Sequence, residues 1–454
     1  MGSDSEIQNP PGGSTKQMVK FGKSLRKDFL FDDNYLNLNH GSFGTYPRVV
    51  QSAMRSFQDK AEARPDRFIR YEYPVLLDES RAAMAKFLNV DVSTVAFVPN
   101  ATTGVNTVLR NLAFAPKEKI LYFATIYGAC EKTVEYIVET TPAEAVKIQY
   151  TYPVEDDWLI SEFERVVKAE EKAGNRVKVA IFDTVVSFPG VRMPFERLTQ
   201  ACKDLGVMSL IDGAHGVGHL ELDLGKLDCD FFVSNCHKWL YVPRGCAVFY
   251  VPVRNQDLMR STLPTSHGFT PRPKPGLATI RNPLPPSSKS PYVTNFEFVG
   301  TIDNAPYLCI PTALRYRENL GGEAAIIAYS QNLAREGAAL VAKSLGTVVM
   351  ENKTGTLGKC CLSMVKLPLV ADAMKTSAKT EDVGGLIVSW FSATMVRDYN
   401  TFIGIFFYGS AWWVRLSGQA YLELEDFKWA AETLKKVCER AKKGDFLDPV
   451  QAKL

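Results

Sequence analysis

Between residues 94 and 251 the chain alternates short runs of β-branched and aromatic residues with longer segments of helical spacing, and this rhythm constrains it most. The short runs fall at 94–98, 120–124, 145–150, 177–182, 207–211, 231–234 and 246–251. Apolar residues recur at helix spacing over 103–112, 160–173 and 195–205, and upstream over 48–63 and 77–88. Strands alternating with helices predict βαβ units, whose crossovers make neighbouring strands parallel. The expected fold class is therefore α/β: a large domain with a mostly parallel, seven-stranded sheet flanked by helices. Ligands of such sheets sit beyond the carboxyl ends of the strands. The polar residues just after each run are the ones to read for chemistry.

After residue 251 the rhythm breaks. Residues 261–291 are rich in Pro, Ser and Gly and read as a long ordered excursion or lid. A helical stretch at 304–345 follows, then a second α/β rhythm over 346–443. The expected organisation is a disordered leader (1–20), an N-terminal arm (21–45) joining a smaller α/β domain (311–454), and a large domain (46–310). Lys and Arg total 53 against 50 Asp and Glu, a net charge of +3, which gives no general reason to expect nucleic acid or an anionic membrane as partner. No apolar run approaches the roughly 18–20 residues that span a bilayer. Nine cysteines, scattered and without a C-x-x-C pair, read as free thiols of a reducing compartment. The first twenty residues hold no apolar signal region. Ala452-Lys453-Leu454 is a relaxed relative of a peroxisomal tripeptide, so the expectation is cytoplasmic, with the peroxisome as the alternative.

Two strand ends carry the chemistry. Ser209-Leu-Ile-Asp-Gly-Ala-His-Gly-Val-Gly-His219 contains Asp212, and Ser234-Asn-Cys-His-Lys-Trp239 contains Lys238. A carboxylate and a lysine at neighbouring strand ends suit pyridoxal phosphate. Its aldehyde needs a lysine, and its ring nitrogen needs a carboxylate that keeps it protonated and electron-withdrawing. The run Pro99-Asn-Ala-Thr-Thr-Gly-Val105 lies between a strand and a helix; the backbone of Ala101, Thr102 and Thr103 with a threonine hydroxyl makes an anion cradle. No Gly-Lys pair follows, so it is not a nucleotide P-loop. Tyr127 offers an aromatic face for stacking on the ring, and Ser187 follows the 177–182 run toward the same site. His215 and His219 stand at i, i+4, but the glutamate of a zinc helix is missing and glycines disfavour a helix there, so no metal is expected.

These motifs, N-A-T-T-G, D-G-A-H and S-N-C-H-K-W, resemble the fold-type I pyridoxal-phosphate enzymes of the class V aminotransferase-like branch, over nearly the whole chain after residue 30. The resemblance implies that His215 contacts the ring oxygen, and that His237, with Asn235 as neighbour, contacts the phosphate. It implies that Phe298-Val-Gly-Thr301 brings Thr301 to the phosphate of a partner subunit, hence a homodimer with shared active sites. Trp413-Val-Arg415-Leu-Ser417 resembles the strand whose arginine grips the substrate α-carboxylate, and a guanidinium fork fits a carboxylate bidentately. Leu36-Asn-Leu-Asn-His-Gly-Ser-Phe-Gly44 is similar to the isopenicillin-N-epimerase-like group, which includes fungal lyases that cleave hercynylcysteine sulfoxide in ergothioneine biosynthesis. Gly41 and Ser42 would then edge the substrate pocket. Arg67 or Arg70 would serve a second charged end, against the plainer reading of both as surface residues.

One absence bears on the reaction. Cysteine desulfurases of this class attack sulfur with a loop thiol, and neither 385–415 nor 261–299 contains a cysteine. A β-elimination needs none. Lys238 would take the α-proton and the Cβ–S bond would break. A departing sulfenic acid wants a proton donor, and Tyr127 is the candidate if it does not only stack. The expected activity is a C–S lyase acting on a small amino-acid sulfoxide and giving pyruvate, ammonia and a sulfenic acid or thiol. The alternatives are an amino-acid epimerase, a cysteine desulfurase-like enzyme, or a cofactor-binding protein without lyase activity.

Overall fold

The computed structural model describes residues 20–272, 282–378 and 382–448. The expected leader, the C-terminal tripeptide and the middle of the 261–291 excursion thus lie outside the described residues. Seven strands form the main sheet: β1 (Val95–Val98), β2 (Glu118–Phe123), β3 (Glu144–Ile148), β4 (Arg176–Asp183), β5 (Met208–Asp212), β6 (Phe231–Asn235) and β7 (Ala247–Tyr250). Their order is β1-β7-β6-β5-β4-β2-β3. Every adjacent pair is parallel except those made by β7, which runs antiparallel to both β1 and β6. The central strands are buried along almost their whole length, with one apolar cluster on each face, which is why they read as continuous apolar runs. The edge strand β3 instead carries Glu144 and Lys147, charges that discourage pairing with another chain.

Three further strands, β8 (Leu362–Lys366), β9 (Gly404–Tyr408) and β10 (Ala411–Ser417), form an antiparallel sheet in the order β9-β10-β8. A third apolar cluster gathers Leu25, Phe29 and Leu38 of the N-terminal segment with residues from 320 to 446. Leu36–Asn37 pairs in parallel with Thr401–Phe402, fixing the segment there. It then crosses toward the ends of β5 and β6. Gly44 makes this possible: its φ is +64°, and a Cβ would lie 1.8 Å from the carbonyl oxygen of His237. Gly104 is needed as well, because a Cβ there would lie 2.5 Å from Val233 Cγ2 and push the Ala101–Asn111 helix off β6.

The helical stretch expected over 304–345 is three helices, Ala305–Leu308, Ile310–Asn319 and Glu323–Leu345. Its last break falls at Gly321 and Gly322, at φ of +108° and +86°, values that favour glycine and end a helix. The helix expected from 77 begins at Tyr73, with Pro74 in its first turn, where a missing N–H costs nothing.

Candidate active site

The carboxyl ends of β4, β5 and β6 place three ionisable groups side by side, because in parallel register Asp183 pairs with Asp212 and Asp212 with Val233. Asp183 and Asp212 are both buried, and burial raises the pKa of each; the two carboxylates raise Asp183 further by mutual repulsion. Asp212 accepts hydrogen bonds from the Ala214 N–H at 2.9 Å and from Cys130 Sγ at 3.3 Å. Lys238 lies on the short helix Cys236–Trp239 that leaves β6, and is 9% exposed. Burial lowers its pKa from the usual 10.5 to about 8, against the upward pull of Asp212 and Asp183. A useful fraction of its amine is therefore neutral near pH 7. Its Nζ lies 3.0 Å from His215 Nε2, and the indole N–H of Trp239 donates to His215 Nδ1 at 3.0 Å.

The anion cradle has its own supports. Asn100 caps the Ala101–Asn111 helix through the Thr103 N–H at 2.8 Å, and the Thr103 hydroxyl donates to the same oxygen at 3.1 Å. Asn235, at the end of β6, accepts from the Ala101 N–H at 2.8 Å and so ties the helix start to the lysine strand. Thr102 lies in the same first turn. His237 is held by Cys246 O at 3.1 Å from its Nδ1, and burial lowers its pKa to about 4.

Arg415 on β10 is 2% exposed. Its Nη1 donates to Ser187 O at 2.5 Å, and its Nη2 to Ser42 Oγ at 2.7 Å and to Asn39 Oδ1 at 3.2 Å. Its Nε is buried with no partner among the described residues, and burial lowers its pKa to about 10. Gly41 lies between this group and the lysine: a Cβ would stand 3.0 Å from Trp239 Cζ2 and 3.6 Å from His215 Cε1. Tyr127 is half-exposed at the start of the Gly128–Thr140 helix. Thr301 is exposed. Arg67 and Arg70 are exposed; Arg67 pairs with Glu72 at 2.7 Å, and Arg70 pairs with Asp66 at 2.9 Å and donates to Pro283 O at 2.9 Å. Sequence reasoning passed over Asp183, Asn100, Asn39 and Trp239. Asp183 and Asn100 had visible signals, an aspartate closing an apolar strand and an asparagine just before a helix. Among the described residues no cluster of three or more His, Cys, Asp or Glu side chains could hold a metal ion, and no helix is long and apolar enough to cross a membrane.

This donor set fits pyridoxal phosphate. Two buried carboxyl groups meet one lysine whose pKa is lowered to about 8, and a protonated ring nitrogen is a partner suited to a buried carboxylate there. The fold, a mainly parallel sheet with these groups at its strand ends, is that of the fold-type I pyridoxal-phosphate enzymes. Residues 38–354 match the family described as aminotransferase class-V, and the chain belongs to that family. It is 39% identical over 438 residues to an L-cysteine desulfhydrase-like protein of Epichloe uncinata, covering 93% of this chain and 96% of that one. It is 28% identical over 424 residues to the hercynylcysteine sulfoxide lyase of Schizosaccharomyces pombe, covering 92% and 98%. Among solved structures, the apo cysteine desulfurase of Thermococcus onnurineus superposes with a TM-score of 0.70 at 18% identity, covering 93% of this chain and 99% of that one. The chain is thus a pyridoxal-phosphate-dependent enzyme of the C–S lyase and cysteine desulfhydrase-like kind.

Proposed function

We propose that the enzyme cleaves the Cβ–S bond of an S-substituted cysteine sulfoxide of the hercynylcysteine kind. β-Elimination releases a sulfenic acid and aminoacrylate; an external thiol reductant supplies the two electrons that turn the sulfenic acid into the ergothioneine thiol and water, and hydrolysis of the aminoacrylate gives pyruvate and ammonia. The observation that carries this reading is that all nine thiols are buried, while a lysine with its pKa lowered to about 8 and a buried arginine that has no carboxylate partner among the described residues share one site. Sulfur attack by the protein needs an accessible thiolate; elimination needs only a base, an electron sink and a held carboxylate.

Bound to Lys238, pyridoxal phosphate supplies the sink for the electron pair left at Cα. In this reading Asp212 keeps the ring nitrogen protonated. His237, Asn235 and the turn Ala101–Thr103 hold the phosphate, and Arg415 with Ser42 and Ser187 receives the α-carboxylate. Lys238 Nζ takes the α-proton, and Tyr127 either stacks on the ring or gives a proton to the departing sulfur. The exposed Thr301 reaches the phosphate bound in a second copy of the chain, which makes the enzyme a homodimer of large (46–310) and small (311–454) domains. Its expected location is the cytoplasm, with the peroxisome as alternative.

Free L-cysteine is the second reading, favoured by the name of the Epichloe uncinata relative. The test is a turnover series of cysteine, cystine, and thioether and sulfoxide conjugates, read as pyruvate and ammonia. The sulfoxide should exceed L-cysteine in kcat/KM by at least about tenfold. Equal or faster release of sulfide from L-cysteine would make the enzyme a desulfhydrase. Inversion at Cα without pyruvate would overturn the lyase reading.

A further inference from the structure

Trp239 follows the lysine in the chain, is 1% exposed, and has no part in the cofactor and substrate contacts described so far. Its indole N–H donates to His215 Nδ1, and the opposite nitrogen of that ring, Nε2, faces Lys238 Nζ, each contact being 3.0 Å. An indole nitrogen only donates, so Nδ1 has to offer a lone pair, and the proton of a neutral His215 sits on Nε2. His215 is neutral because it is buried and faced by Lys238, Arg415, His219 and His237, which together hold its pKa well below the usual value. The indole cannot swing away. Its face stacks on His219 with ring centroids 4.0 Å apart, Arg317 Nη1 donates to its carbonyl at 2.8 Å, and Gly41 closes against Cζ2.

We propose that Trp239 is a positioning residue: it fixes His215 as the Nε2–H tautomer, so that His215 gives a hydrogen bond to the lone pair of Lys238 instead of taking one from its ammonium. An ammonium at Nζ would set N–H against N–H. The contact therefore selects the neutral amine, the form that can add to an aldehyde or accept a proton. The same Nε2–H stays directed at acceptor lone pairs when Lys238 carries the cofactor; that extension rests on the proposed cofactor chemistry, whereas the tautomer does not. Lys238 is also faced by Asp212 and Asp183 from the sheet, Cys130 from the Gly128–Thr140 helix, and Arg415 from β10. All of these remain when Trp239 is changed.

The test is 15N-histidine NMR on the full-length holoenzyme, with the His215 signals assigned by their loss in His215→Asn. The expected result is an unprotonated Nδ1 and a protonated Nε2 throughout pH 6–9. Trp239→Phe keeps a ring in place and removes the N–H. It should release His215 to the other tautomer and raise the midpoint of the pH-dependent change in the cofactor's visible absorbance by about one unit, a tenfold change in proton affinity. A wild-type His215 protonated on Nδ1, or on both nitrogens, would overturn the proposal. So would a folded Trp239→Phe enzyme with the wild-type tautomer and midpoint. If that variant does not fold, the wild-type spectrum decides alone. A wild-type protein without cofactor absorbance would count against the cofactor chemistry and leave the tautomer still measurable.

Discussion

Arg415 and Arg317 are both almost fully buried, at 2% and 1% exposure, yet their surroundings differ. Arg317 forms a two-pronged ion pair with Glu323, donates to Trp239 O at 2.8 Å and Gly218 O at 3.1 Å, and lies over the Tyr241 ring. Its carboxylate partner raises its pKa above the ordinary value despite burial. Among the described residues Arg415 meets only uncharged oxygens and its Nε has no partner, and burial pushes its pKa down to about 10. Burying a charge without a counterion costs several kcal/mol, and the carboxylate of the proposed substrate is the counterion that would offset it. Burial alone does not mark a functional arginine; burial without an internal counterion does. Arg317 joins the lysine segment to the helical part of the chain, and Arg415 is the arginine proposed to receive the substrate carboxylate.

Several substitutions can break or sharpen this contrast. The largest effect belongs to the lysine that Arg415 faces: Lys238→Ala should lower pyruvate formation by about 10³-fold or more, the scale of losing a positioned proton acceptor. Arg415→Lys should raise the KM of an amino-acid substrate by about 10–100-fold, the loss of a bidentate charge-assisted contact, with a small change in Tm. Steady-state kinetics beside a thermal melt measures both. The pH dependence comes next. Lys238 is depressed to about 8, so its neutral fraction falls about tenfold per unit below that value and levels off above it. Cofactor rebinding to stripped protein should follow that curve; a rate still climbing through pH 10 would mean an undepressed amine. Arg317→Met should reverse the Arg415 pattern, losing about 2–3 kcal/mol of stability by stranding Glu323 and two carbonyls, with a lower Tm and only a few-fold change in KM. The smallest effect is expected for Arg67→Ala and Arg70→Ala, exposed pairs worth under about 1 kcal/mol, with KM changed less than about threefold. A large rise in KM there would place the second charged end of the substrate at Arg67 and Arg70.

Much of the main sheet is legible in the sequence because parallel strands buried on both faces leave unbroken apolar runs. All seven runs are strands of that sheet, with ends shifted by at most two residues. Asp212 and Lys238 are legible for a related reason: a strand end is a fixed address, and each lies at or just past one. The small sheet is less so, because its order β9-β10-β8 joins segments that local pattern cannot pair. The supporting residues are hidden by sequence distance. Asn39 and Arg415 meet across 376 residues, and only the register of β4 and β5 sets Asp183 beside Asp212. Trp239 stands in plain view beside the lysine, but its hydrogen bond to His215 depends on how two strand-end turns pack.

Lys238, buried just past the end of β6 with its pKa lowered to about 8, is the residue proposed to carry the cofactor. Borohydride reduction of the holoenzyme followed by peptide mass mapping tests it directly. The expected result is the added mass of the reduced pyridoxyl phosphate on the peptide containing Lys238, at close to one per chain. The same mass on another lysine, or no fixed mass at all, would contradict it.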